Sequence, residues 1–209
     1  MVFQNGDNNL EGDLIDDFLE MAAVGSNTNV TIVAQLDRIP GYVASYGDWT
    51  DARRGIVNHL DEPWDESNPA KTWGESLGEV DMGNPQTLVD FLEWAKSSYP
   101  ARKYALIIED HGNGWKPRGA EEDPIRAVSF DDTNHSSLNL SELKQALITI
   151  TNNSANKLDI IGFDACLMAM IEVDHQIKPY ADYRIASEEV ENLAGWDYTS
   201  SLELSLIHI

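Results

Sequence analysis

Apolar residues along this chain follow two alternating rhythms. Short continuous runs suit strands covered on both faces, and spacings of three and four give helices a single apolar stripe. The clearest runs are residues 104–109 (Tyr-Ala-Leu-Ile-Ile-Glu) and 158–163 (Leu-Asp-Ile-Ile-Gly-Phe). Residues 1–4 read as the end of a strand, 29–36 as a strand carrying Val30, Ile32 and Val33, 127–130 as a short strand and 183–187 as the last. Between them, Leu10, Leu14, Ile15, Phe18, Leu19 and Ala22 recur at helical spacing, with Asn8 and Glu11 as a capping-box-like start. Asn84-Pro85 opens a second helix whose inner face is Leu88, Val89, Leu92 and Ala95. Asn139 with Glu142 caps a third over 140–150, and the apolar residues 167–171 start a fourth. Residues 41–49 and 55–60 read as a hairpin, 61–76 as an acidic, aromatic loop, and 112–126 as a Gly- and charge-rich excursion. Strands alternating with amphipathic helices predict an α/β fold with a mainly parallel sheet between helical layers.

Composition narrows the partners. The 209 residues, 42% apolar and without internal repeats, fit one domain with a substantial core. A formal charge of −22 repels nucleic acid and anionic membranes and favours cationic partners, although solubility alone accounts for such an excess as well. No apolar stretch reaches the roughly 18 residues of a membrane span. No signal peptide is visible at the Met1 start. The single cysteine, Cys166, excludes an intrachain disulfide.

Cys166 stands just beyond one strand run, after Asp164-Ala165, and His111 just beyond another, followed by Gly112-Asn113-Gly114-Trp115. Open α/β sheets place their ligands at strand ends, and a thiol and an imidazole delivered there form a Cys/His peptidase pair. A cysteine behind an apolar strand is, taken alone, commonly inert core. A helix beginning directly after it would supply N–H groups that stabilise a thiolate, and a protonated His111 would add to this. The alternative for His111 is a surface imidazole at a turn, but Gly112 and Gly114 leave room for close backbone approach. Asp164 points to the thiol's side if the segment is extended, or else serves as a helix N-terminal aspartate. Asp110 stays outside the dyad because adjacent side chains point apart, and Glu191, Asp197 and Glu203 read as a solvated acidic face. Residues 7–12 imitate the first half of an EF-hand loop, but Phe18 stands where the bidentate glutamate belongs, so helix capping explains them better. No Cys/His cluster suits zinc, and the residues themselves require no metal.

Four blocks together resemble the clostripain family of cysteine peptidases, relatives of gingipains, legumains and caspases. They are Asn5-Gly6-Asp7-Asn8-Asn9-Leu10-Glu11, His111-Gly112-Asn113-Gly114-Trp115, Asp164-Ala165-Cys166-Leu167-Met168, and Ala186-Ser187-Glu188-Glu189 followed by Gly195-Trp196-Asp197-Tyr198. The resemblance implies a caspase-like three-layer α/β/α sandwich and a Cys166/His111 dyad. It also implies an oxyanion hole from the backbone N–H groups of Gly112 and Cys166, and cleavage after arginine or lysine in protein or peptide substrates. Asp164 would pair with the substrate cation, and Ser187, Glu188 and Glu189 would line the far wall of its pocket. Self-processing between histidine and cysteine is expected by the same resemblance. Arg126-Ala127 is the candidate bond, since Lys116-Pro117 is blocked by proline and Arg118-Gly119 lies close to His111. Calcium stimulation and a secreted or cell-envelope location in a bacterial source are likewise implied. Relatives begin with a complete first strand and continue well beyond Tyr198. Residues 1–201 are therefore expected to form a peptidase domain incomplete at its N-terminus and lacking its C-terminal part, with 202–209 a truncated or non-native tail.

Two further readings stand beside the endopeptidase. A catalytically silent binding module of the same fold would have no chemical need for Cys166, His111 and Asp164 together. An esterase or acyltransferase using the thiol would have no need of Asp164.

Overall fold

Alternation along β1 (Val2–Gly6) sets the architecture, because Phe3 enters one apolar core and Val2 the other. A strand buried on both faces needs a helical layer on each side. The computed structural model describes residues 1–64, 72–114 and 127–207. After β1 come α1 (Glu11–Val24), β2 (Val33–Arg38), β3 (Ala52–Ile56), β4 (Glu75–Gly78), α2 (Pro85–Ser98) and β5 (Ala105–Glu109). There follow β6 (Ala127–Asp131), β7 (Ser136–Asn139), α3 (Leu140–Ile150), β8 (Leu158–Asp164), α4 (Ile171–Ile177), β9 (Ala181–Ile185) and α5 (Tyr198–Ile207).

Seven strands form one sheet in the order β4-β3-β2-β1-β5-β8-β9. The five from β2 to β9 run parallel, and β3 and β4 add an antiparallel edge. Helices α1 and α5 cover one face around Leu14, Phe18 and Tyr198. Helices α2, α3 and α4 cover the other around Phe91, Leu147 and Val173. This is the expected three-layer α/β/α sandwich. Register then aligns the chemistry: Gln4 pairs with Glu109 and Glu109 with Asp164, so three polar side chains stand abreast at the C-terminal edge of β1, β5 and β8.

Local chemistry explains which elements formed as expected. Asn139 accepts from the Ser141 and Glu142 N–H groups, and Glu142 reaches back to the Asn139 N–H (3.0 Å), a complete capping box. Asn84 caps α2 with Pro85 in its first turn. The start of α1 differs from expectation: its N-cap is Leu10, and Glu11 forms no capping box. Glu11 instead pairs with Arg38 at 2.7 Å, neither side chain being exposed, and accepts from the Val43 N–H. Arg38 also donates to the carbonyls of Val43, Ser45 and Tyr46, so residues 43–46 fold over a buried guanidinium rather than into a hairpin arm. The pairing predicted for 41–49 with 55–60 is replaced by β3 between β2 and β4. Strand β4 falls where a loop was expected, because its Glu-Ser-Leu-Gly sequence has no apolar run to announce it. The second strand is shifted, running from Val33 to Arg38, and the last ends at Ile185.

Candidate active site

The C-terminal edge of the sheet holds two turns that touch. His111 follows β5, and Cys166 follows β8 in a turn over residues 166–169. Gly112 joins them: a Cβ there would lie 2.3 Å from the Cys166 carbonyl oxygen and 3.0 Å from its nitrogen, so only glycine permits this approach. The backbones of Gly112 and Cys166 are thereby brought together. The helix expected to begin at Leu167 does not do so, since Leu167 has φ 63 and α4 starts only at Ile171. Whatever stabilises a thiolate at Cys166, a directly following helix end is not its source. The turn is tied down by two backbone bonds, Leu167 N–H to Glu189 (3.0 Å) and Ala169 N–H to Ser187 (2.8 Å).

His111 and Cys166, both partly buried, line one cavity. The imidazole Nε2 lies 2.9 Å from Asn9 Oδ1, and the Cys166 Sγ accepts from the Glu191 N–H at 3.4 Å. Asp110 serves the backbone: buried, it accepts from the N–H groups of His111 and Phe130 and from Asn8 Nδ2.

The cavity is acidic. Asp13, Asp17, Glu109, Asp164 and Glu191 line it, and among the described residues no lysine or arginine does. One carboxylate oxygen each from Asp17, Glu109 and Asp164 falls within 4.8 Å of the other two, and all three residues are buried. Gly195, at φ 60, fits against the group, where a Cβ would meet Asp17 at 2.9 Å and Asp164 at 3.0 Å. Donors are few: Gln4 Nε2 (2.9 Å) and the Tyr198 hydroxyl (3.3 Å) serve Glu109, and the Trp196 N–H (2.9 Å) serves Asp164.

Burial, then mutual repulsion, raises these acids. The Asp17 carboxyl is pushed up to about 7, first by burial and then by nearby Asp164, Glu20 and Asp13. Burial pushes Glu191 up to about 7 as well, with Asp164 adding to it. Glu109 lies well above the carboxylate range, chiefly through burial, and burial raises Asp164 too. Asp17 lies beside Glu109 and Asp164 beside Glu191, so burial and mutual repulsion both oppose ionising every member at once. Burial and crowding thus favour the protonated form in part of this group.

The clostripain family model matches residues 2–206. The chain belongs to the clostripain family. Clostripain from Hathewaya histolytica is 31% identical over 95% of the chain, which spans 40% of that protein's length. Similar solved structures are a secreted C11 cysteine protease from Bacteroides thetaiotaomicron in complex with an irreversible peptide inhibitor (TM-score 0.67, 23% identity, 97% of this chain and 51% of that one). An inactive zymogen C11 protease from Parabacteroides distasonis matches at TM-score 0.65 and 20% identity, over 95% of this chain and 50% of that one.

Within this clostripain-family fold, the predicted residues divide. Cys166, His111, Gly112 and Asp164 converge on the cavity. Ser187, Glu188 and Glu189 do not line it; they run beside the turn after Cys166, holding it by the carbonyls of Ser187 and Glu189, and the two glutamates are exposed. Glu191, Asn192, Leu193 and Gly195 line the cavity. Glu191, read from sequence as solvated surface, is half-buried against Asp164, and Asp17, Glu109 and Asn9 were not singled out at all. Of the candidate processing bond, Arg126 lies outside the described residues, and Ala127 opens β6 with its side chain buried. Residues 202–207, expected as a tail, continue α5, and Leu202 packs against the core around Phe18. Among the described residues no helix is long and apolar enough to cross a membrane.

Proposed function

We propose that this clostripain-family protein is a secreted or cell-envelope cysteine endopeptidase cutting after arginine or lysine, with Cys166 as nucleophile and His111 as proton carrier. The observation that carries the reading is the convergence of a thiol, an imidazole and an acidic floor on one cavity. The Cys166 thiolate attacks the scissile carbonyl carbon, and the carbonyl electron pair moves onto oxygen, where the N–H groups of Gly112 and Cys166 receive it. Collapse re-forms the carbonyl as a thioester and expels the amine, which takes a proton from His111. Water then attacks the thioester, His111 takes its proton and returns it to the departing thiol. Because Asn9 Oδ1 can only accept, it holds a proton on His111 Nε2 and orients the ring. Asn9 is thus a positioning residue.

The substrate cation enters the acidic floor and displaces the protons shared there, forming charge-assisted contacts with Asp164 and Asp17. Binding of a basic side chain therefore releases protons, and no neutral side chain obtains the same exchange. Self-processing follows from the same specificity, and a cut at Arg126-Ala127 requires the first residue of β6 to leave its strand. Turnover of arginyl, lysyl and norleucyl reporter peptides by the protein and by its Cys166→Ala variant tests the reading. Hydrolysis of the basic pair alone, lost in the variant, is the expected result. A new N-terminus at Ala127 only when Cys166 is intact would support self-processing there.

A further inference from the structure

Two large apolar side chains stand in solvent beside the cavity, in a segment that is otherwise polar. Val190 is 71% exposed and Leu193 67%, and their neighbours are Glu188, Glu189, Glu191 and Asn192. A single exposed leucine needs no explanation. These two differ in where they are held. The Glu191 N–H between them donates to the Cys166 Sγ at 3.4 Å, so standard backbone dimensions put the Val190 Cα within about 6 Å of the sulfur. Leu193 lines the cavity itself while leaving most of its surface outside. Neither side chain joins either apolar core.

The segment is fixed in this position. Leu167 and Ala169 donate their N–H groups to the carbonyls of Glu189 and Ser187, Trp196 Nε1 donates to Glu191 Oε1 at 3.1 Å, and the Gly195 N–H returns to the Asn192 carbonyl at 2.9 Å. Two apolar side chains on a loop held against the nucleophile are placed to meet what the nucleophile meets.

Strand order decides which part of a substrate that is. His111 follows β5, Cys166 follows β8 and residues 186–195 follow β9, and β8 lies between the other two strands in the sheet. The thiol is thus flanked by the imidazole on one side and by Val190 and Leu193 on the other. On the peptidase reading, on which this inference rests, the departing amine lies beside His111, where it takes its proton. The acyl half of the substrate therefore leaves the thiol toward Val190 and Leu193. Its basic side chain points into the acidic cavity, and in an extended chain the side chain before it points the opposite way, out of the cavity. Only groups that project from the rim can meet such a side chain, and these two do. We propose that Val190 and Leu193 select an apolar residue immediately before the basic one, so that the preferred substrates carry a leucine-like side chain followed by arginine or lysine. The contact is open to water on one side, so discrimination should be about five- to twentyfold, toward the low end of what a closed apolar pocket achieves.

Reporter peptides ending in leucyl-arginine, seryl-arginine and seryl-norleucine test this through their kcat/KM values. In the wild-type protein the leucyl-arginyl reporter should exceed the seryl-arginyl one about five- to twentyfold. Val190→Ser and Leu193→Ser should each reduce that ratio to about threefold or less. Leu60→Ser should preserve it, because Leu60 is as exposed, at 73%, but lies near the end of α1, where its N–H bonds the Ala22 carbonyl at 2.8 Å. The proposal is overturned by equal turnover of the two arginyl reporters, by an undiminished ratio in either variant, or by an equal loss in Leu60→Ser. Preference for arginine over norleucine without regard to the preceding residue would remove this inference and leave the basic specificity standing. Equal turnover of the seryl-arginyl and seryl-norleucyl reporters would remove both.

Discussion

Asp17, Glu109 and Asp164 gather around an open cavity beside Cys166. Asp7, Asp37, Glu79 and Asp131 gather instead behind the turn that carries His111, outside the cavity's lining. In the first group, with Glu191 beside it, burial and mutual repulsion push Asp17 and Glu191 up to about 7. The second is anchored largely by backbone N–H groups; each leaves two buried oxygens unpartnered, Asp7 Oδ2 and Asp37 Oδ2 here, Glu109 Oε1 and Glu191 Oε2 there. Acidic clusters of similar size thus meet opposite demands. Under the proposed specificity, the open pocket has to release a substrate cation with each product, which acids of raised pKa allow. The second cluster lies outside the cavity, and its carboxylates are fixed in advance by the N–H groups of Arg38, Met82, Thr133 and Asn134.

The largest expected effect separates catalysis from both clusters. Cys166→Ala and His111→Ala should each reduce turnover at least about 10³-fold, and the double variant should be little worse than either, because the two groups act as one unit. Circular dichroism should remain unchanged in all three. Near-normal turnover by folded Cys166→Ala would remove the catalytic reading.

Asp164→Asn should come next. Removing a buried, charge-assisted contact typically costs about 2–5 kcal/mol, which is at least about 30-fold on arginyl and lysyl reporters. Neutral reporters should lose far less. Equal losses on both would mean that Asp164 holds the Trp196 backbone and the loop from Glu191 rather than the substrate.

Asn9→Ala removes a single hydrogen bond to His111, typically worth about 0.5–1.5 kcal/mol, so kcat should fall about two- to tenfold with KM unchanged. The acidic limb of the pH–rate profile should shift as well, because the imidazolium loses an acceptor. A change in KM alone would place Asn9 in substrate binding.

The sequence was most legible where a residue's neighbours in the chain are also its physical context. The apolar runs of β5 and β8 exposed His111 and Cys166 at their ends, and Asn139 with Glu142 announced α3 because both halves of a capping box lie within one turn. The same local logic misled at Leu167, where five successive apolar residues conceal a turn with φ 63 before the short α4. It also misassigned Glu11, whose partner Arg38 is distant in the chain. The acidic floor was invisible because Asp17, Glu109 and Glu191 come from a helix, a strand end and a loop. One signal did exist: Asp17 follows Leu14 by three and precedes Phe18 and Met21, so a charge interrupts the buried stripe of α1. Such a charge needs a partner or a proton.

That proton gives the smallest expected effect on turnover and a measurable one on stability. The Asp17 carboxyl is raised from 3.8 to about 7 in the folded protein, so between those values the folded chain keeps a proton that the unfolded chain has lost. The stabilisation is therefore complete below about pH 4 and is lost as pH rises through 7. Asp17→Asn removes this dependence, since an amide needs no proton to remain buried. Its melting temperature should exceed that of the wild-type protein at pH 8, by about 2–4 °C for each kcal/mol recovered, and the difference should shrink toward pH 5. Substrate binding should move in the opposite sense. At pH 8 the wild-type pocket presents an ionised Asp17 to an arginyl side chain and the variant does not, so KM should rise a few-fold in the variant, whereas at pH 6 the two should agree. Parallel stability curves from pH 5 to pH 8, together with equal KM values, would show that Asp17 is ionised throughout and that the pocket stores no proton there.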